Sequence, residues 1–314
     1  INPNTNQIGY LYDYNFDDFG NPVLNGMKVP KYIDARDGTN TMLTSNTDWF
    51  GAITRPGFAQ SYNLSLSSGT EKSNSYFSLS YYDNQGTIKE TNFSRMSARM
   101  NSSYNLLDDV ITIGENFTLN HTNEVQAPGG VLTLAILSLP VMPVKKIDGD
   151  WGSVTSGMRD RDNPARILDA NKNNPYSYWR AFGNTFINIQ PVKNLNFKSN
   201  FGIDYANFYQ RLLTLSFTGR LGSDLTSSKI VQSQSMKWNW SNTATYDLKF
   251  DNHQLNLLAG MEMNKQNDIN FSTERRTFEL EEPSYMWPSA GVGEMFSTGG
   301  ATGCGCPSQS HLGQ

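Results

Sequence analysis

The sequence predicts an all-β chain: part of an antiparallel transmembrane β-barrel, with about eight strands present. Three observations predict it. Runs of apolar and polar residues alternate strictly, most clearly over 195–205, where Leu195, Phe197, Phe201, Ile203 and Tyr205 interleave with Asn196, Lys198, Asn200, Gly202 and Asp204. Side chains point to opposite faces in turn along a strand, so such a run has one greasy face and one wet face. Charged residues make up only 17% of the chain, below the roughly 25% of soluble domains; Asn, Ser and Thr take their place, as a water-facing lumen allows. Finally, short and long connections alternate, like the periplasmic turns and outer loops of outer-membrane barrels.

Each element has its own warrant. Residues 1–57, rich in Asn, Asp, Gly, Pro and Tyr, read as a surface loop region. The first strand is expected over 58–67, with Tyr62, Leu64 and Leu66 opposite Asn63, Ser65 and Ser67. A second follows over 75–83, where Phe77, Leu79 and Tyr81 alternate with Ser78 and Ser80. In the third, Met96, Ala98 and Met100 alternate with Ser97, Arg99 and Asn101. The fourth carries Ile111, Ile113, Phe117 and Leu119, with Glu115 as a misfit on the apolar face. After a long insertion comes a strand over 179–190 with poor alternation, since Phe182 and Phe186 share a face with Asn184 and Asn188. The strand over 195–205 is next, with a continuation through Phe208 to Phe217 left open. Trp238, Trp240, Ala244, Tyr246 and Leu248 then mark 236–250, and Leu255, Leu257, Ala259, Met261 and Met263 mark the last. Short turns are expected at 68–74, 105–109, 191–194 and 250–253, and longer loops at 84–92, 121–178, 206–235 and 264–296. Tyr82, Tyr104, Trp179 and Tyr246 fall near strand ends, where interfacial girdles belong.

Several function classes drop out. No stretch approaches 18 consecutive apolar residues and the mean hydropathy is -0.52, which excludes a helical membrane protein but not a barrel. A net charge of -4 supplies no basic patch for nucleic acid, so no nucleic-acid partner is expected. His121, His253 and His311 are far apart and joined to no nucleophile or metal motif. Gly291-Val292-Gly293 is followed by Phe296 rather than a third glycine. No catalytic residue, cofactor or metal is expected; Cys304, Cys306 and His311 on a terminal tail form too small a ligand set. Ile1-Asn2-Pro3-Asn4 lacks the parts of a signal peptide, so the chain reads as a fragment or processed product.

The 121–178 loop holds the candidate binding residues. Trp151, in Asp148-Gly149-Asp150-Trp151-Gly152, offers an indole face on which a sugar can stack. Arg159, Asp160 and Arg161 offer oriented hydrogen bonds to hydroxyls. The competing reading packs Trp151 into the loop and pairs the charges with one another. Asp148 and Asp150 do not complete an EF-hand. Residues 131–139, too short to span, read as a short helix or apolar plate stopped by Pro140. The Asn-x-Ser/Thr triplets at Asn63, Asn92, Asn101, Asn116, Asn239 and Asn270 read as a by-product of polar lumen positions.

Longer phrases carry a resemblance. Asn46-Thr47-Asp48-Trp49-Phe50, Ser61-Tyr62-Asn63-Leu64-Ser65-Leu66-Ser67-Ser68-Gly69-Thr70-Glu71-Lys72 and Tyr76-Phe77-Ser78-Leu79-Ser80-Tyr81-Tyr82 resemble the SusC/RagA family of TonB-dependent outer-membrane transporters of Bacteroidetes. So do Gln126-Ala127-Pro128-Gly129-Gly130, Leu139-Pro140-Val141-Met142-Pro143-Val144, Arg161-Asp162-Asn163-Pro164 and Met236-Lys237-Trp238, together covering roughly residues 30–300. The resemblance implies a 22-stranded barrel, of which this chain would hold roughly the second to ninth strands. Residues 1–57 would be an extracellular loop region, and 58–303 a partial barrel. It implies a cell outer-membrane location and uptake of oligosaccharides or peptides. A SusD-like lipoprotein would be the partner, and the TonB complex would act through a plug and TonB box that this chain lacks. The likeness ends after about Gly303, and 304–314 read as an aberrant tail from a frameshift or truncation. Two alternatives stand beside it: a TonB-linked receptor for a metal chelate or vitamin, and a soluble β-sandwich binding module.

Overall fold

A computed structural model describes residues 11–28, 32–33, 42–154, 161–218, 223–251 and 253–304. Nine strands form one antiparallel sheet: β1 Ala59–Gly69, β2 Ser73–Gln85, β3 Asn92–Leu106, β4 Ile111–Val125, β5 Tyr176–Val192, β6 Leu195–Thr214, β7 Ser227–Phe250, β8 His253–Arg276 and β9 Met295–Cys304. Each pairs with its sequence neighbours in an unbroken up-and-down meander. A barrel wall is built in this way, and the sheet is not closed within this chain. No second sheet covers either face among the described residues, so the sandwich alternative does not hold.

Register explains why the wall is two-faced. Leu64 lies opposite Leu79, Leu79 opposite Ala98, and Ala98 opposite Leu119. Leu119 continues to Ala181, and across the next strands Phe197 meets Ala244 and Ala244 meets Ala259. The apolar residues of eight successive strands therefore form one continuous outer band. These side chains stay exposed within the chain, Leu64 at 60% and Leu66 at 64%, because lipid rather than protein is their solvent. A one-residue slip in any pair would turn that strand's apolar set inward.

The structure corrects several boundaries. Among the described residues the main sheet has nine strands rather than about eight; β9 begins at the end of the loop expected over 264–296 and reaches the first residue of the expected tail. The loop expected over 206–235 shrinks to 215–226, because β6 and β7 continue past the apolar band as long polar strands. Likewise β8 runs to Arg276, inside the loop expected over 264–296. Strict apolar alternation fades in these extensions, so periodicity marks them poorly, although a continuation of the 195–205 strand was open. The weak strand near 179 is real. On β5 the outer set is Ala181, Gly183, Thr185, Ile187 and Ile189, and Phe182 and Phe186 lie on the lumen side among asparagines. Residues 1–57 are not wholly irregular: Leu11–Phe16 pairs with Pro22–Lys28, and helix α1 spans Trp49–Ile53.

The short connections fall at one end and the long ones at the other. Residues 107–109 turn β3 into β4 with Leu107, Asp108 and Asp109 all at positive φ. Asp251, at φ 48°, begins the tight β7–β8 hairpin. The opposite end carries α1, α2 (Val131–Leu137) and α3 (Pro164–Asn171). Helix α2 lies where the apolar stretch 131–139 was expected to form one.

Candidate functional site

The three helices build a small cap with its own core. Trp49 and Ile53 of α1, Val131 and Ala135 of α2, and Leu168 of α3 bury together with Met142 and Val154. Asp48 caps α1 by accepting from the Gly51 amide at 3.0 Å. The Trp49 indole nitrogen donates to the Leu139 carbonyl at 3.0 Å, and the Thr47 amide donates to Pro140 at 2.8 Å. These bonds tie the segment before β1 to the insertion between β4 and β5. Asn163 is the keystone of the other half. Its side-chain oxygen accepts from the Ala165 and Arg166 amides, capping α3, while its nitrogen donates to the Val144 and Gly152 carbonyls at 2.9 and 3.1 Å. Asp162 and Arg166 form a buried ion pair, and the Arg166 guanidinium lies 4.0 Å from the Phe217 ring. At the end of α3 the Asp169 carboxylate, 2.6 Å away, holds the Lys172 ammonium above the ordinary lysine range. Both partners are half exposed, so the pair adds little stability.

Of the predicted site residues, Trp151 and Arg161 are described, next in sequence to Gly152 and Asp162 of this cap. Trp151 is partly buried and packs under the Lys145 ammonium, 3.1 Å from the ring centroid, on a short bridge that joins residues 145 and 151. Lys146 is buried between Asp148 and Asp150, at 3.6 and 3.4 Å. Its ammonium occupies the position a cation would take between those carboxylates. Arg161 is partly buried at the entry to α3. Arg159 and Asp160 lie outside the described residues.

Sequence reasoning passed over the lumen face. Asn116 donates to Asn184 at 3.4 Å and Asn184 to Asn200 at 2.5 Å, an amide ladder across β4, β5 and β6. Gly202 leaves room for this row, since a Cβ there would sit 2.2 Å from the Asn239 side-chain oxygen. Arg180 and Asp204 close a bidentate pair at 3.0 and 2.7 Å. A concavity of about 580 Å³ lies among Asn184, Asn200, Asp204, Lys237, Asn239 and Gln266. Another, of about 500 Å³, lies between β1 and β5 around Arg95 and Arg99. The signal was present in the polar positions of each alternating run, read there only as lumen filler. Such a wall can hydrogen-bond a hydrated solute along its height.

Comparison with known proteins agrees in sequence and in fold. No family model matches the chain. It is 25% identical over 229 residues to the TonB-dependent receptor P26 of Formosa agariphila, covering 70% of this chain and 22% of that protein. To the TonB-dependent receptor SusC of Bacteroides thetaiotaomicron it is 25% identical over 170 residues, 52% of this chain and 17% of that one. The chain therefore spans about a fifth of the length of these curated relatives. Among solved structures, a chain of the RagAB peptide transporter superposes with a TM-score of 0.68 at 20% identity, covering 85% of this chain and 32% of that one. The same transporter in its open-open state gives 0.67. With an outer apolar band, a polar inner face and this double likeness, the chain is a segment of an outer-membrane β-barrel wall that is similar to TonB-dependent receptors of the SusC/RagA type.

Proposed function

We propose that the protein imports an oligosaccharide or peptide-sized nutrient across the outer membrane, and that this chain supplies part of its channel wall and extracellular mouth. The observation that carries the reading is the two-faced sheet: lipid-compatible side chains outside, amides and hydroxyls inside. Such a lumen suits a hydrated polymer better than an apolar chelate. A SusD-like lipoprotein would close the extracellular mouth, and force from the TonB complex would open the path through a plug that these residues do not include. No covalent chemistry is assigned to this segment. Trp151, Arg159, Asp160 and Arg161 would meet the incoming substrate, with Trp151 as the stacking surface and the charged groups as hydrogen-bonding partners.

The test is uptake. Cells lacking the gene should fail to accumulate one class of fluorescent oligosaccharide or peptide, and should recover with the intact gene but not with a TonB-defective background. Affinity purification of the protein should bring down a surface lipoprotein. Normal uptake of every oligomer offered, with defective uptake of an iron chelate or vitamin, would replace this reading with the receptor alternative. W151A and R161A should weaken substrate binding several-fold; unchanged binding would remove the cap residues from the site.

A further inference from the structure

We infer that Arg95 and Arg99 form an anion-binding station on the lumen face, built for an oligomer that carries carboxylates. The inference rests on the barrel reading above and specifies the charge of what the lumen holds. On β3 the outward set Met96, Ala98 and Met100 alternates with Arg95, Ser97 and Arg99, so both arginines point into the lumen. Register sets Arg99 beside Ser78 and Thr118, and Arg95 beside Tyr82 and Thr122. Both are exposed at the concavity of about 500 Å³. Among the described residues, neither has a carboxylate partner. Two strands away Arg180 is neutralised by Asp204 at 2.7 Å. The same wall therefore balances one arginine and leaves two.

The neighbours define the ligand. Ser78, Ser97, Thr118 and Asn120 line the concavity and offer hydroxyls and an amide but no charge. A guanidinium presents a planar fork of donors that matches a carboxylate in two parallel hydrogen bonds. Residues four apart on a strand stand roughly 13 Å apart. An extended oligomer with two acidic groups can meet each guanidinium with its own carboxylate over that spacing. The flanking hydroxyls would then hold its neutral portion. Carboxylates of this kind can arrive on a substrate or belong to another part of the same polypeptide that fills the lumen.

Phenylglyoxal labelling of the arginines, read peptide by peptide by mass spectrometry, tests this. The protein would be purified at its natural length from the outer membrane, and only material with the heat-dependent gel mobility of a folded barrel would be used. Hexaglutamate should slow labelling of Arg95 and Arg99 about tenfold, as expected for groups engaged in charged hydrogen bonds. Hexaglutamine should not, and 0.5 M NaCl should remove the protection. Slow labelling without any peptide, released only on unfolding, would place the carboxylates within the protein itself. Fast labelling unaffected by hexaglutamate in heat-modifiable protein would overturn the inference and leave the barrel reading standing. Protein without heat-dependent mobility would instead count against the barrel. In R95Q/R99Q, hexaglutamate affinity should fall at least tenfold; equal affinity would also overturn it.

Discussion

Leu79 and Ser80 are adjacent on β2 and face opposite solvents. Leu79 is 42% exposed and flanked by Leu64 and Ala98 in the outer band. Ser80 is flanked by Asn63 and Ser97 on the lumen side. Leu79→Arg places a guanidinium in the hydrocarbon near mid-height, where such changes cost about 3 kcal/mol in barrels. That is roughly a hundredfold in the ratio of folded to unfolded protein. Ser80→Arg enters a hydrated face; its nearest charges are Arg95 and Arg99 on the adjoining strand, and screening there holds the penalty to about 0–1 kcal/mol. The full-length protein would be folded into phospholipid vesicles and unfolded in guanidinium, followed by tryptophan fluorescence and gel mobility. The midpoint should drop clearly for L79R and little for S80R. Equal losses, or a larger loss for S80R, would mean that the faces are assigned the wrong way round or that neither meets lipid.

Further outcomes follow from the cap and the edges. Trp49→Ala removes a buried indole and its hydrogen bond to Leu139, which should cost the cap about 3–5 kcal/mol. The expected readout is faster proteolysis within 126–175 with the barrel's gel mobility retained; simultaneous loss of the barrel would refute a separate cap core. Asn163→Ala should destabilise the same region by about 2 kcal/mol. Asn163→Asp should be at least as damaging: it keeps the helix cap but turns a carboxylate onto the Val144 and Gly152 carbonyls, so a milder effect would argue against the donor role. Expressed alone, residues 1–314 should aggregate, since β1 and β9 are unpaired edges of an open sheet; a soluble monomer with a sharp thermal transition would contradict this.

Legibility varied with the solvent around each segment. Strands β1 to β4 could be read closely because alternation is strict where one face meets lipid and the other water. Strand β5 was weak because Gly183 and Thr185 dilute its outer set while Phe182 and Phe186 occupy the lumen face. The continuation of β6 past 205 was open in the sequence, whereas the upper halves of β7 and β8, where the apolar alternation fades, were read as loops. In the cap, Asn163 stood out in the sequence only within Arg161-Asp162-Asn163-Pro164, and only folding revealed that it caps α3 while the other end of its amide holds two distant carbonyls.

By itself the sequence determined the fold class, the direction of the strands and which residues face lipid, since a period of two leaves little choice once one solvent is hydrocarbon. The tertiary structure alone decided which lumen charges are balanced. Arg95, Arg99 and Arg180 look alike as polar positions of alternating strands. Register across neighbouring strands brings Asp204 to Arg180 and brings only hydroxyls and amides to the other two.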